Sequence, residues 1–332
     1  MEHKRPTLVD VARTAGVSRS AASRAINGQP GVNPQVRDRV LRTVAALGYH
    51  PDTAGRALAS GRVDVLHLVV VDEDTTALSS NPYYGRVTAG LLAAVDGTDA
   101  QMRIHLTPRS RARRVLDEVA ESGCIGALLV NVPADLAERF HGRCPRVVSL
   151  GQYSRHVPCV DAQSAAGTAA AVRHLIASGR RVIAAIDGPR TNPCAMQRHA
   201  GYVTSVRSAG LRPIWTVGDF RRQGGYAATL RLLAAHPELD AIVAACDMTA
   251  TGAMQALATA GRRVPDDVAV VGFDDSVLAT CAIPPLTSVR QPVEEMTTGA
   301  ARDLLRGQVG PGWRRSFPVT LSVRASSAAH AA

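Results

Sequence analysis

The segment Thr7-Leu8-Val9-Asp10-Val11-Ala12-Arg13-Thr14-Ala15-Gly16-Val17-Ser18-Arg19-Ser20-Ala21-Ala22-Ser23-Arg24-Ala25-Ile26-Asn27-Gly28 reads as two helices and the turn between them. Leu8, Val11, Ala12 and Ala15 fall at i, i+3, i+4, i+7 spacing, the apolar stripe of a helix that Thr7 is placed to cap. Gly16 breaks it. Ser18 is placed to cap a second helix, which runs to about Ile26 and stops at Asn27-Gly28. Downstream, Asn33-Pro34 is a cap followed by proline at the first helical position. Val36, Val40, Val44 and Leu47 then share an inward face, and Gly48 ends the run. Residues 7–47 therefore predict a helix-turn-helix with a supporting third helix. On the second helix, Ala22 and Ile26 turn inward with Val17. Arg19, Ser20, Ser23, Arg24 and Asn27 remain on the outward face.

Charge sharpens this reading. Lys and Arg total 38 against 28 Asp and Glu, and residues 1–62 carry ten of the basic side chains but four of the acidic ones. Six of the ten net positive charges thus sit in the first fifth of the chain. A basic module on a near-balanced body points to a polyanion partner. Residues 1–49 form the helix-turn-helix domain, and 50–62 a linker. His50-Pro51 is extended, as a residue before proline prefers. Asp52–Ala59 has room for one or two helical turns, too few to hold without a partner to dock on.

Residues 63–332 form the body. Apolar β-type runs at 64–71, 102–106, 125–130 and 146–150 are followed by a second series at 181–186, 213–217, 240–245 and 268–272, with helical segments between them. Strands alternating with helices imply parallel sheets covered on both faces. Two sets of four suggest two similar lobes, and a last β-rich run spans Phe317–Arg324. Ligands in such sheets bind outside the carboxyl ends of the strands, so two lobes share a cleft that closes by hinging.

Several function classes are excluded. No apolar run reaches the ~18 residues of a membrane span; Val63–Val71 is interrupted by Asp64 and His67. The N-terminus lacks the apolar core of a signal peptide, so a cytoplasmic, nucleoid-associated protein is expected. The six cysteines form no C-x-x-C pair, and the histidines show no H-E-x-x-H spacing. Neither a zinc site nor a small disulfide scaffold fits, and scattered thiols in a reducing compartment are expected. G-x-S-x-G, Walker and G-x-G-x-x-G motifs are absent. No metal, cofactor or catalytic residue is expected.

At this point the chain resembles the LacI/GalR family of bacterial transcription regulators. Residues 7–28 match that family's signature, followed by Tyr49-His50-Pro51-Asp52-Thr53-Ala54-Gly55-Arg56-Ala57-Leu58. In the body, Asn81-Pro82-Tyr83-Tyr84-Gly85, His174-Leu175, Gly188-Pro189, Arg198 to Tyr202, Gly272-Phe273-Asp274-Asp275-Ser276 and Pro284 to Val289 follow in the family's order. The resemblance implies a small all-α DNA-binding domain on a periplasmic-binding-protein-like body of two Rossmann-like subdomains. It implies that Arg19, Ser20 and Arg24 read bases, as arginine does with guanine O6 and N7. It assigns Thr7, Ser18, Ser23 and Asn27 to backbone phosphates, Arg56 to phosphate, and Leu58 to a wedge in the minor groove. Asp52 and Gly55 depart from the family's Asn and Ala. Glycine there lowers helix propensity by about 1 kcal/mol.

The resemblance also implies an effector site. Arg198 and Asp274 face each other across it, Tyr83, Tyr84 and Phe220 supply aromatic surface, and Asp161 and Cys246 complete the set. Read on their own, Arg198 and Asp274 are equally an ion pair of the core. Cys246-Asp247 replaces a frequent Asn-Asp, and Asp161-Ala162 a frequent Asp-Asn. Cys194 and Cys246 read as a thiol sensor or as inert buried thiols. The acidic loop Asp72-Glu73-Asp74 reads as a cation site or a solvated loop. The tail after Arg324 has no leucine heptads, so a homodimer is expected. The expected function is a repressor that binds a palindromic double-stranded operator under control of a small-molecule effector, carbohydrate foremost. A solute-binding protein would carry a signal peptide and no basic amino-terminal module. An enzyme would need a nucleophile, metal cluster or cofactor loop.

Overall fold

The computed structural model describes residues 6–26, 30–49, 65–122 and 124–328. The chain divides into two compact units, 1–63 and 64–332.

The first unit holds α1 (Leu8–Ala15), α2 (Arg19–Ile26) and α3 (Pro34–Leu47). Thr7 makes a reciprocal cap. Asp10 N donates to Thr7 Oγ1 at 3.3 Å, and Thr7 N donates to Asp10 Oδ2 at 2.9 Å. This satisfies donors that a first helical turn leaves unpaired. Gly16 ends α1 at φ 64°, a left-handed conformation that glycine enters without a Cβ penalty. Ser18 Oγ accepts from Ala21 N at 3.2 Å, and Asn33 Oδ1 accepts from Gln35 N at 2.9 Å. The helices bury Val11, Ala12, Ala15, Ala22, Ala25 and Val40, ringed by half-buried Val17, Ile26, Val36, Val44 and Leu47. Ala25 is inside as well as Ala22. An i, i+4 reading of α2 misses it, because this face is made of small residues that let α1 approach.

The second unit begins β1 (Val65–Val71), α4 (Ala77–Ser80), α5 (Pro82–Val95), β2 (Gln101–Thr107), α6 (Arg109–Glu121), β3 (Gly126–Val130), α7 (Ala134–Arg143), β4 (Val147–Leu150) and β5 (Cys159–Ala162). It continues α8 (Ser164–Ala177), β6 (Ile183–Asp187), α9 (Pro193–Ser208), β7 (Ile214–Val217), α10 (Arg222–Ala235), β8 (Ala241–Ala244), α11 (Asp247–Thr259) and β9 (Ala269–Asp274). It ends α12 (Val277–Cys281), β10 (Thr287–Arg290), α13 (Val293–Leu305), β11 (Arg314–Phe317) and β12 (Thr320–Ser322).

Two six-stranded sheets result, in the orders β11-β5-β4-β3-β1-β2 and β12-β10-β9-β8-β6-β7. All pairings are parallel except β10 with β12. Every residue of β1 is buried, as a central parallel strand covered on both faces requires. Its side chains alternate between two cores. Leu66, Leu68 and Val70 pack toward α5 and α13, while Val69 and Val71 pack toward α6 and α7.

Each sheet has six strands, not the four read from the apolar runs. β5 (CVDA) and β10 (TSVR) carry polar residues that break the apolar run by which the other four-residue strands were read. The run Phe317–Arg324 is not one strand. Pro318 lacks the N–H a ladder needs, and the chain changes sheets there, β11 joining β5 and β12 joining β10. Among the described residues the chain passes between lobes three times, at 163, 291–292 and 318–319. The second passage returns α13 to the first lobe, where Val293, Met296, Ala300, Ala301 and Leu304 join the core of β1. Gly90 makes that docking possible, since a Cβ there would meet Glu294 O at 2.7 Å. No described helix is long and apolar enough to cross a membrane.

Candidate functional site

Two surfaces matter, one on each unit. On the first, Arg19, Ser20 and Arg24 are exposed on α2 and Ser23 is half-buried. Thr7 and Ser18 stand exposed at the amino ends of α1 and α2, where unpaired amides and the helix dipole attract anions. Ser18 Oγ and Ser20 Oγ lie 3.0 Å apart, and Arg24 Nε donates to Ser20 O at 3.4 Å. The guanidinium is thereby steadied along the helix. Asn27, Arg56 and Leu58 lie outside the described residues.

The second surface is a cavity of about 880 Å³ at the carboxyl ends of both sheets. Tyr83, Tyr84, Asp161, Arg198, Phe220, Cys246 and Asp274 all line it. Those ends converge because the strand order of each sheet reverses there, opening a crevice above β1 and β3 in one lobe and above β6 and β8 in the other.

Arg198 enters from α9 and is buried. Its Nη1 donates to Ala245 O, and its guanidinium carbon lies 3.7 Å from the centre of the Phe273 ring. Nη2 is 3.8 Å from Asp274 Oδ1, an ion pair beyond hydrogen-bond length. Nε has no hydrogen-bond partner among the described residues. A buried guanidinium with donors to spare is poised for a ligand oxygen. Asp274 receives Gln291 Nε2 at 2.6 Å, and Arg86 Nη1 donates to its carbonyl at 2.6 Å. Asp161 accepts Gln197 Nε2 at 2.7 Å and Ala162 N at 2.9 Å. Burial pushes both carboxyls above the usual range, with Arg198 opposing in each case.

The aromatics take distinct roles. Tyr83 lies half-buried in the wall, its phenol kept protonated by burial. The Tyr84 hydroxyl is already engaged, donating to Asp72 Oδ2 at 2.7 Å and accepting from Asn131 Nδ2 at 2.9 Å. It offers its ring more than its hydroxyl. Phe220 sits at φ 62°, its ring against Gly188, where a Cβ would come within 2.2 Å of it. Cys246 caps α11, accepting from Thr249 N at 3.5 Å. Burial pushes Cys246 and Cys194 up to about 12, so both are neutral thiols and poor nucleophiles.

Sequence reasoning missed a polar chain between the lobes. Tyr153 Oη donates to Asn131 Oδ1 at 3.0 Å, and Asn192 Nδ2 donates to Tyr153 Oη at 2.9 Å. The acidic loop is not simply solvated: Arg221 lies 3.1 Å from Asp72 Oδ1 and 3.7 Å from Asp74 Oδ2. Asn81-Pro82 and Asn192-Pro193 were the available signal. Each Asn caps a cavity helix, accepting from Tyr83 N at 3.0 Å or Ala195 N at 3.1 Å. Among the described residues, no three His, Cys, Asp or Glu side chains converge as a metal site would need.

Comparison with known proteins decides the family. Residues 7–52 match bacterial regulatory proteins, lacI family, and residues 172–327 match a periplasmic binding protein-like domain. The HTH-type transcriptional regulator CelR of Thermobifida fusca is 36% identical, over 97% of this chain and 98% of that protein. The chain belongs to the lacI family of bacterial regulatory proteins. Solved lacI-family structures share its architecture. A transcriptional regulator CelR–cellobiose complex superposes with a TM-score of 0.75 at 33% identity, covering 97% of this chain and all of that one. The lac repressor dimer bound to operator and the anti-inducer ONPF gives 0.80 at 25% identity, covering 98% of this chain and all of that one. This lacI-family chain is accordingly a transcriptional regulator, with an amino-terminal helix-turn-helix domain and a two-lobed body.

Proposed function

We propose that this lacI-family regulator is a cytoplasmic repressor that binds a palindromic operator as a homodimer, and that a carbohydrate of roughly disaccharide size sets its affinity for DNA. Arg19, Ser20 and Arg24 read bases, while Thr7, Ser18, Ser23, Asn27 and Arg56 hold phosphates and Leu58 wedges the minor groove. A protein two-fold matches a palindrome. The lac repressor dimer was solved on its operator, and CelR with cellobiose. The ligand is bound and released unchanged; the relatives are regulators, not enzymes.

The observation that carries the effector reading is the convergence of Arg198, Asp161 and Asp274 with Tyr83, Tyr84 and Phe220 on one cavity. Carboxylates accept from sugar hydroxyls and the guanidinium donates to them. Aromatic faces cover the apolar side of a sugar ring. At about 880 Å³ the space lies toward the large end of small-molecule sites. A ligand at a hundred times its Kd stabilises the folded state by about 2.7 kcal/mol, a rise in Tm of about 5 °C for a body of this size. The test is a thermal-shift panel of cellobiose, lactose and ribose on wild type and Asp274→Ala. One sugar raises the wild-type Tm. The variant loses that rise while still binding operators selected from random duplexes. An unchanged response in Asp274→Ala refutes the assignment.

A further inference from the structure

The geometry points to a redox-active dithiol formed by Cys124 and Cys144, which peroxide converts to a disulfide in the first lobe. This site does not depend on the proposed effector. Their sulfurs lie 3.6 Å apart. Cys124 follows α6 and precedes β3, while Cys144 follows α7 and precedes β4. β3 and β4 are neighbours in parallel register, so their amino ends bring the two thiols together, at the end of the sheet opposite the cavity. The cysteines are 20 residues apart in sequence, and only the βαβ crossover makes them a pair.

The two thiols are unequal. Cys124 is half-buried and Cys144 buried. A hydrogen bond joins the two sulfurs; it lowers Cys124, while that bond and burial raise Cys144. Cys124, the more exposed of the two and the one peroxide reaches first, is the attacking thiolate, and Cys144 the resolving thiol. Cys124 attacks one oxygen of hydrogen peroxide, the O–O bond breaks, and hydroxide leaves to take up a proton as water. Cys124 is left as a sulfenic acid. Cys144 sulfur then attacks Cys124 sulfur. The S–S bond forms, the S–O bond breaks, and the departing hydroxide takes the Cys144 proton as a second water. Two thiols lose two electrons and two protons, and one peroxide is reduced to two waters. The sulfurs must close from 3.6 Å to a bond of about 2.05 Å.

The experiment uses the reduced full-length chain, titrated with hydrogen peroxide, alkylated, and mapped by proteolysis and mass spectrometry. A peptide joining Cys124 to Cys144 should appear, about 2 Da lighter than the two reduced peptides, and vanish on treatment with dithiothreitol. The protein should lose two of its six titratable thiols. In Cys144→Ser, dimedone should trap a sulfenic acid at Cys124; in Cys124→Ser, neither adduct nor linked peptide should form. The wild-type map needs no variant and stands if a variant fails to fold. The proposal is overturned if all six thiols survive, if peroxide oxidises Cys144 while Cys124 stays reduced, or if the bridge joins exposed Cys281 of two chains.

Discussion

Asp274 is held where its residue type seldom goes. Four non-glycine residues among those described have positive φ: Asn131 at 56°, Phe220 at 62°, Asp274 at 106° and Asp275 at 51°. The first three line the cavity. Such conformations cost about 1–3 kcal/mol each and persist where surroundings over-determine them. For Asp274 the restraints are Arg86 on its carbonyl and Gln291 on its carboxylate. The motif at 272–276 made Asp274 legible in the sequence. Gln291 was not, because only the β9–β10 pairing brings it near. His67 is a second case. The sequence showed it only as an interruption in an apolar run. In β1 it stacks on His105 at 5.2 Å, with Nδ1 2.9 Å from His105 Nε2. Burial, with His105 and Arg103 beside it, brings His67 down to about 4. A depressed histidine stabilises the fold fully above its unfolded value of 6.5, and that contribution disappears as pH falls through the folded value. Thermal melts should therefore show Tm dropping between pH 6.5 and 4. His67→Leu should flatten part of that slope; an unchanged slope counts against a neutral buried His67.

At the scale of elements, helices that end in strong local signals and strands with a continuous apolar run were legible, and β5 and β10, which mix polar residues into theirs, were not. Thr7, Gly16, Ser18, Asn33-Pro34 and Gly48 punctuate α1 to α3, and each signal acts within a few residues of itself. β5 and β10 each pair with the strand just before them, across loops that carry no strand pattern, and on their other side with β11 or β12. The lobe to which α13 belongs depends on a return crossing that no local pattern encodes. The same contrast applies to recognition. The outward face of α2 follows from the inward burial of Ala22 and Ala25, so the placement of Arg24 is secure from helix geometry alone. Arg24→Ala should cost about 1–3 kcal/mol of discrimination at one base pair of each half-site, with far less change on mismatched DNA. Competition binding with matched and single-substituted operators reads this directly. Equal losses on both would make Arg24 a phosphate contact.

At the scale of the whole body, the cavity is bridged as well as lined. Arg221 from the second lobe meets Asp72 and Asp74 from the first, and Asn192 meets Tyr153 and Asn131. Arg221 is partly exposed, so salt screens its pairs. Arg221→Ala should enlarge the radius of gyration in small-angle scattering and weaken effector binding several-fold through a higher off-rate, by depopulating the closed state. An unchanged radius and affinity would make the pair incidental. The three passages between lobes have a different consequence, for synthesis. The first lobe takes its covering helix α13 and edge strand β11 from beyond residue 290, after most of the second lobe has been made. While the ribosome works through β6 to β9, the first lobe stands with one face of its sheet covered by α5 alone. Domains generally fold as units in order of synthesis, but here the second lobe emerges before the first can close. The two lobes are completed together, within the last stretch of chain.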